Sequence, residues 1–147
     1  MSNTLAITME SSPSDEAGNQ TNNMLSNQVT ILIVDDNDDN LVLLNYALEE
    51  LGYAIIQGSC GRDAIDLASR YTPNLILLDV LLPDMSGMAV VKCLRRQPAT
   101  RHIPIIAVTA LARPVERSKI IAAGFNAYIS KPYMLDELYA LVKQYLD

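Results

Sequence analysis

Val29-Thr30-Ile31-Leu32-Ile33-Val34-Asp35-Asp36 decides the reading of this chain: a short, nearly all-apolar run that ends on two carboxylates. A continuous run of this length reads as a strand buried on both faces, the habit of parallel sheets. Three further runs also end in a residue suited to phosphate or metal chemistry. Leu75–Leu78 runs into Asp79, Ile105–Val108 into Thr109, and Ala127–Ser130 into Lys131. In open parallel sheets, ligands bind in the crevice outside the carboxyl ends of the strands. Three carboxylates, a hydroxyl and an ammonium are therefore expected at one spot, and that set suits Mg2+ and a phosphoryl group.

Outward from these runs, strand-like and helix-like segments alternate five times. Strands are expected near Val29–Val34, Tyr53–Gln57, Leu75–Leu78, Ile105–Val108 and Ala127–Ser130. Helices are expected near Asp38–Leu51, Gly61–Tyr71, Ser86–Gln97, Ala112–Ala123 and Met134–Leu146. Pro73, Pro83, Pro98, Pro104 and Pro132 all fall in connections, where a missing N–H is tolerated. Gly52 and Gly124 stand just past helix ends, where a left-handed cap is wanted. Strict β/α alternation implies parallel strands, right-handed crossovers and helices on both faces of the sheet.

The chain has 147 residues, half of them hydrophobic, which suits one domain with a real core. Its net charge of −6 argues against nonspecific binding to nucleic acid or to anionic membranes. Residues 1–28 are mostly Ser, Thr, Asn and Gln, with Glu10, Asp15 and Glu16 and no positive side chain. Such a segment buries too little to offset its ordering entropy and is expected to be a disordered tail, leaving one domain at 29–147. The chain stops at the fifth helix, so no appended output domain is expected. Cys60 and Cys93 are too few for a disulfide framework and read as free thiols in a reducing compartment. The N-terminus lacks a positive region followed by an apolar stretch, and no secretory signal is expected there. No apolar run reaches the ~18 residues that span a bilayer, and a soluble cytoplasmic protein is expected.

One acid after a strand is commonly a turn former or helix cap. Asp35 and Asp36 facing Asp79 are different, because packed like charges are costly unless a cation joins them. Mg2+ takes one or two carboxylates with waters and a substrate phosphate. Ca2+ fits less well, because Asp35–Asn40 lacks the glycine and terminal glutamate of an EF-hand loop. Lys131 ends a strand beside these acids, where its ammonium can bind a phosphoryl oxygen as a point charge. Thr109, followed by the small Ala110, can donate its hydroxyl to the same group.

Four motifs together carry a resemblance. They are Val34-Asp35-Asp36-Asn37; Leu78-Asp79 with Leu82-Pro83-Asp84-Met85-Ser86-Gly87; Val108-Thr109-Ala110-Leu111-Ala112; and Tyr128-Ile129-Ser130-Lys131-Pro132-Tyr133. In this order and spacing they resemble the receiver domain of two-component response regulators, of the stand-alone CheY-like type. The likeness covers Val29–Asp147. It implies a flavodoxin-like (βα)5 three-layer sandwich with a parallel sheet of order 2-1-3-4-5.

The resemblance also implies roles. Asp79 would be the phosphoacceptor, attacking the phosphorus of a kinase phosphohistidine to form an aspartyl phosphate. Asp36, Asp79 and the backbone carbonyl of Leu81 would ligate Mg2+, with Asp35 acting through water. Lys131 would neutralise phosphoryl charge, Thr109 would close on the phosphoryl group, and Tyr128 would turn inward behind it. The Lys131–Pro132 bond would be cis. The protein would be no enzyme beyond catalysing its own phosphorylation and slow dephosphorylation. Tyr133 in place of phenylalanine and Ser86 in place of aspartate are departures that leave the chemical positions filled. Leu81 and Leu111 would flank the path of attacking water, and as neither hydrogen-bonds, a long-lived phosphoryl group is expected.

Partners follow from the same likeness: a histidine kinase or histidine phosphotransfer protein as donor and a downstream protein target, with no nucleic acid or membrane. A relay shuttle, passing the phosphoryl group to another histidine, is the alternative. On the first helix, Leu44, Leu48 and Leu51 suit the inward face, whereas Leu41, Val42 and Tyr46 fall partly elsewhere and suggest a docking patch. The face of helix four, strand five and helix five, with Tyr128, Tyr133, Tyr139 and Tyr145 on or near it, is offered for output or a homodimer. A haloacid-dehalogenase-type phosphatase would want a second acid where Leu81 stands. A flavodoxin would want a Ser/Thr/Gly-rich loop where Asp35 and Asp36 stand.

Overall fold

The computed structural model describes residues 28–110 and 113–147. The expected polar tail, apart from Gln28, lies outside the described residues, as do Leu111 and Ala112. Strands β1 (Thr30–Val34), β2 (Ala54–Gly58), β3 (Leu75–Leu78), β4 (Ile105–Thr109) and β5 (Ala127–Ser130) alternate with helices. The helices are α1 (Asp38–Glu50), α2 (Gly61–Tyr71), α3 (Gly87–Arg96), α4 (Pro114–Ala123) and α5 (Leu135–Leu146). The strands form one parallel sheet in the order β2-β1-β3-β4-β5, which is the flavodoxin-like order implied by the sequence.

Every residue of β1, β3 and β4 is buried, so the continuous apolar runs are strands covered on both faces. Alternate side chains feed two cores. Ile31, Ile33, Leu75, Leu77, Ile106 and Val108 pack under α1 and α5. Leu32, Val34, Ile76, Leu78 and Ile105 pack under α2, α3 and α4. Each fully buried Leu or Ile contributes about 1.5–3 kcal/mol relative to exposure, so both layers depend on the strand alternation being kept.

Local signals set the helix ends. Asn37 caps α1 by accepting from Asn40 N–H at 3.0 Å, and Ser86 caps α3 by accepting from Met88 N–H at 3.1 Å. Gly52 and Gly124 have φ of +93° and +122°, as their positions required. Thr72 is a surprise: it ends α2 at φ +40°, ψ +63°, a region β-branched residues avoid. Pro73 follows it directly, which denies the helix any continuation. Arg95 clips the base of the sheet, donating to the carbonyls of Gly124, Arg101 and Ile103 and to Asn126 Oδ1. Burial lowers its pKa.

Candidate functional site

The sheet register delivers the strand-end residues to one edge. Val34 pairs with Leu78, so Asp35 and Asp79 leave neighbouring strands side by side, and Asp79 N–H donates to the Val34 carbonyl at 3.0 Å. Thr109 pairs with Ser130, and Lys131 N–H donates to the Thr109 carbonyl at 2.9 Å. Lys131 thereby enters from β5 and reaches across. Its Nζ stands 2.9 Å from Asp35 Oδ2 and 2.9 Å from Asp79 Oδ2. The Lys131–Pro132 peptide bond is cis.

Asp35, Asp79 and Thr109 are buried, whereas Asp36 is exposed at the mouth of the crevice. Two buried carboxylates are costly unless their lone pairs are occupied. Here Asp35 accepts from Asn37 N–H at 2.9 Å and from Asn40 Nδ2 at 3.2 Å, and Asp79 Oδ1 accepts from Leu81 N–H at 3.0 Å. Burial pushes the Lys131 ammonium downward, but the hydrogen bonds and charges of Asp79 and Asp35 outweigh it, and its pKa lies above its ordinary value. The lysine is therefore charged throughout the neutral range.

One cation cannot neutralise this cluster. Asp35, Asp36 and Asp79 each offer a carboxylate oxygen, all within 4.8 Å of one another, against the single ammonium of Lys131. Oxygen-only donors with a surplus of negative charge fit a hard divalent cation of the Mg2+ class. Leu81 lies two residues past Asp79, on the backbone stretch that leaves the site.

Tyr128 lies one strand further out, half-buried against the core under α4, and the Arg117 guanidinium of α4 sits 5.2 Å from its ring centroid. Arg117 was invisible in the sequence because the contact joins two elements. Asn40, which braces Asp35, was also missed; its place in the first turn after the acids was the available signal. Asp84 stands in the sequence only as part of the Leu82–Gly87 motif, yet its carboxylate accepts from Gly61 N–H at 2.7 Å and Arg62 N–H at 2.9 Å. On α1 one expectation needs correction: Leu41 is buried in the core with Leu44 and Leu48, because positions 41, 44 and 48 follow the i, i+3, i+7 spacing of one helical stripe. Val42 and Tyr46 are exposed, as is their neighbour Leu43.

Sheet order and strand-end chemistry place the molecule among CheY-like receiver folds. The profile of the response regulator receiver domain matches residues 31–143, and the chain belongs to that family. It is 41% identical over 117 residues to the polar-differentiation response regulator DivK of Brucella ovis, covering 80% of this chain and 95% of that one. Among solved structures, it resembles the receiver domain of a sensor histidine kinase from Pseudomonas aeruginosa, with TM-score 0.76 and 33% identity over 81% of this chain and 98% of that one. That receiver was solved with a magnesium ion coordinated in its active-site cleft. The chemotaxis response regulator CheY4 of Vibrio cholerae gives TM-score 0.76 at 26% identity, over 80% of this chain and 98% of that one. Receivers of this family are signalling proteins. No helix among the described residues is long and apolar enough to cross a membrane.

Proposed function

We propose that this chain is a single-domain response regulator of the cytoplasm, with residues 29–147 as the receiver and 1–28 as an appended tail. It accepts a phosphoryl group on Asp79 from a phosphohistidine of a kinase or phosphotransfer protein and signals by protein–protein contact. The observation that carries this is the Lys131 ammonium bridging Asp35 and Asp79 at 2.9 Å beside the exposed carboxylate of Asp36.

In the transfer, an Asp79 carboxylate oxygen forms an O–P bond as the N–P bond of the donor breaks, and the imidazole nitrogen leaves with the bonding pair. Leu81 N–H fixes one Asp79 oxygen and leaves the carboxylate aimed at the crevice. Lys131, already within bonding distance of Asp79, exchanges its carboxylate partner for a phosphoryl oxygen and neutralises its charge. Asp36 and Asp79, with the Leu81 carbonyl, would hold Mg2+, and Asp35 would act through water. A bound Mg2+ supplies charge neutralisation at the phosphoryl oxygens. The hydroxyl of Thr109 would then close on the phosphoryl group and Tyr128 would follow it inward.

Acetyl phosphate with Mg2+ tests the assignment without a partner protein. Wild type should take up label, Asp79→Asn should take up none while keeping its circular dichroism, and Lys131→Ala should be impaired far more than Lys143→Ala. Label persisting in Asp79→Asn, or equal behaviour of the two lysine variants, would overturn it.

A further inference from the structure

The segment between Asp79 and α3 is held at three places. At its start, Leu81 N–H folds back onto Asp79 Oδ1. At its end, Gly87 N–H donates to the Val80 carbonyl at 2.8 Å. Gly87 also packs so closely that a Cβ there would lie 2.6 Å from the Asp79 carbonyl oxygen. These two closures tie the loop to itself. Its middle is joined to a different element by Asp84, whose two carboxylate oxygens accept from the first two N–H groups of α2 at 2.7 and 2.9 Å. The residue that should cap α2 locally is Cys60, and it makes no side-chain capping bond. Asp84 therefore supplies the cap from 22 residues away in sequence. Met85 lies directly over the same turn, where a Cβ on Gly61 would collide with its Cγ and Sδ.

We propose that Asp84 is a positioning residue for divalent-cation binding, setting the loop that carries the Leu81 carbonyl by clamping it to the N-terminus of α2. The inference rests on the ligand set proposed above. A ligating carbonyl must be held to within about 0.5 Å to be useful, and loss of a supporting contact commonly weakens metal affinity 10–100-fold. Leu81 is anchored on one side by Asp79 and, three residues on, by Asp84. Without the clamp, Leu82 to Ser86 gain freedom and the aim of the carbonyl is lost. Coupling is reciprocal, so a cation that orders the loop must also steady the α2 amides that hold it.

The test is calorimetric titration with Mg2+ alone, on the full chain, at a temperature where every variant is folded. Asp84→Ala should bind on the order of tenfold more weakly than wild type. Asp84→Asn, which keeps one acceptor oxygen, should fall between the two. In wild type, hydrogen exchange at Gly61 and Arg62 should slow when Mg2+ is added, a response that a purely structural cap would not give. A folded Asp84→Ala with wild-type affinity would overturn the inference; if that variant does not fold, wild-type affinity in Asp84→Asn would do so. Asp36→Asn separates the two levels of argument. Undiminished Mg2+ binding by that variant would refute the ligand set itself, whereas its loss beside an unaffected Asp84→Ala would refute only the clamp.

Discussion

Leu81 shows how much a single side chain can decide once a site's geometry is set. Its N–H is committed to Asp79 and its side chain stands 55% exposed at the mouth of the crevice. Water attacks an aspartyl phosphate faster when a neighbouring amide or carboxylate orients it, and a leucine offers no such group. The phosphoryl group on Asp79 should therefore be long-lived, lasting minutes or more and suited to a held signal. Replacing Leu81 with Asn should shorten its lifetime by a factor of about ten, equivalent to about 1.4 kcal/mol of barrier. Leu111, expected to flank the same approach, lies outside the described residues. The measurement is loss of radiolabel from purified phosphoprotein in Mg2+ with no kinase present. A wild-type lifetime of seconds, or an unchanged one in the variant, would show that another residue governs hydrolysis.

Helix α2 depends on a carboxylate borrowed from another element, and this gives its stability a pH signature. The N–H groups of Gly61 and Arg62 hold the Asp84 carboxyl below its ordinary pKa. A group depressed in the folded state adds stability above its unfolded pKa of about 3.9, and that contribution is lost as pH falls through the folded value. The melting-temperature gap between wild type and Asp84→Asn should thus be steady above about pH 5 and should close at still lower pH. A gap unchanged down to pH 2 would mean that the cap is not electrostatic. The same helix marks where sequence reading stops. The apolar runs ending in Asp35, Asp79 and Thr109 were legible because burial on both faces leaves a continuous local pattern, whereas the run before Lys131 is a half-buried edge strand, and the register of a parallel sheet brings all four ends together. Asp84 and Arg117 were not legible as contacts, since each meets its partner only after helices have packed. Thr72 hid for a different reason: Pro73 forces the helix to stop there, whatever residue precedes it.

At the scale of the whole molecule, the two cores leave helix α1 with one face sealed and the other bare. Leu41, Leu44, Ala47 and Leu48 are buried against the sheet, while Val42 is 67%, Leu43 47% and Tyr46 66% exposed. The helix begins beside the acids, with Asn37 capping it and Asp35 braced by Asn40. A protein donor must bring a histidine side chain to Asp79, and its body would then rest on surface adjoining the crevice. An exposed apolar stripe starting at that crevice suits such a partner, since buried aromatic and aliphatic anchors carry most interface energy. Acetyl phosphate needs no such footing, so the two donors can be set against each other. Val42→Glu combined with Tyr46→Ala should slow transfer from a phosphorylated histidine phosphotransfer protein at least tenfold, about 1.4 kcal/mol, a modest loss for two anchors. Labelling by acetyl phosphate should be unchanged, because neither residue touches Asp35, Asp79 or Lys131 among the hydrogen bonds that build the site. Slowing of both reactions would locate the damage in the crevice, and slowing of neither would place the donor on a different face, such as the one where Val115, Ile121, Met134 and Leu135 are exposed.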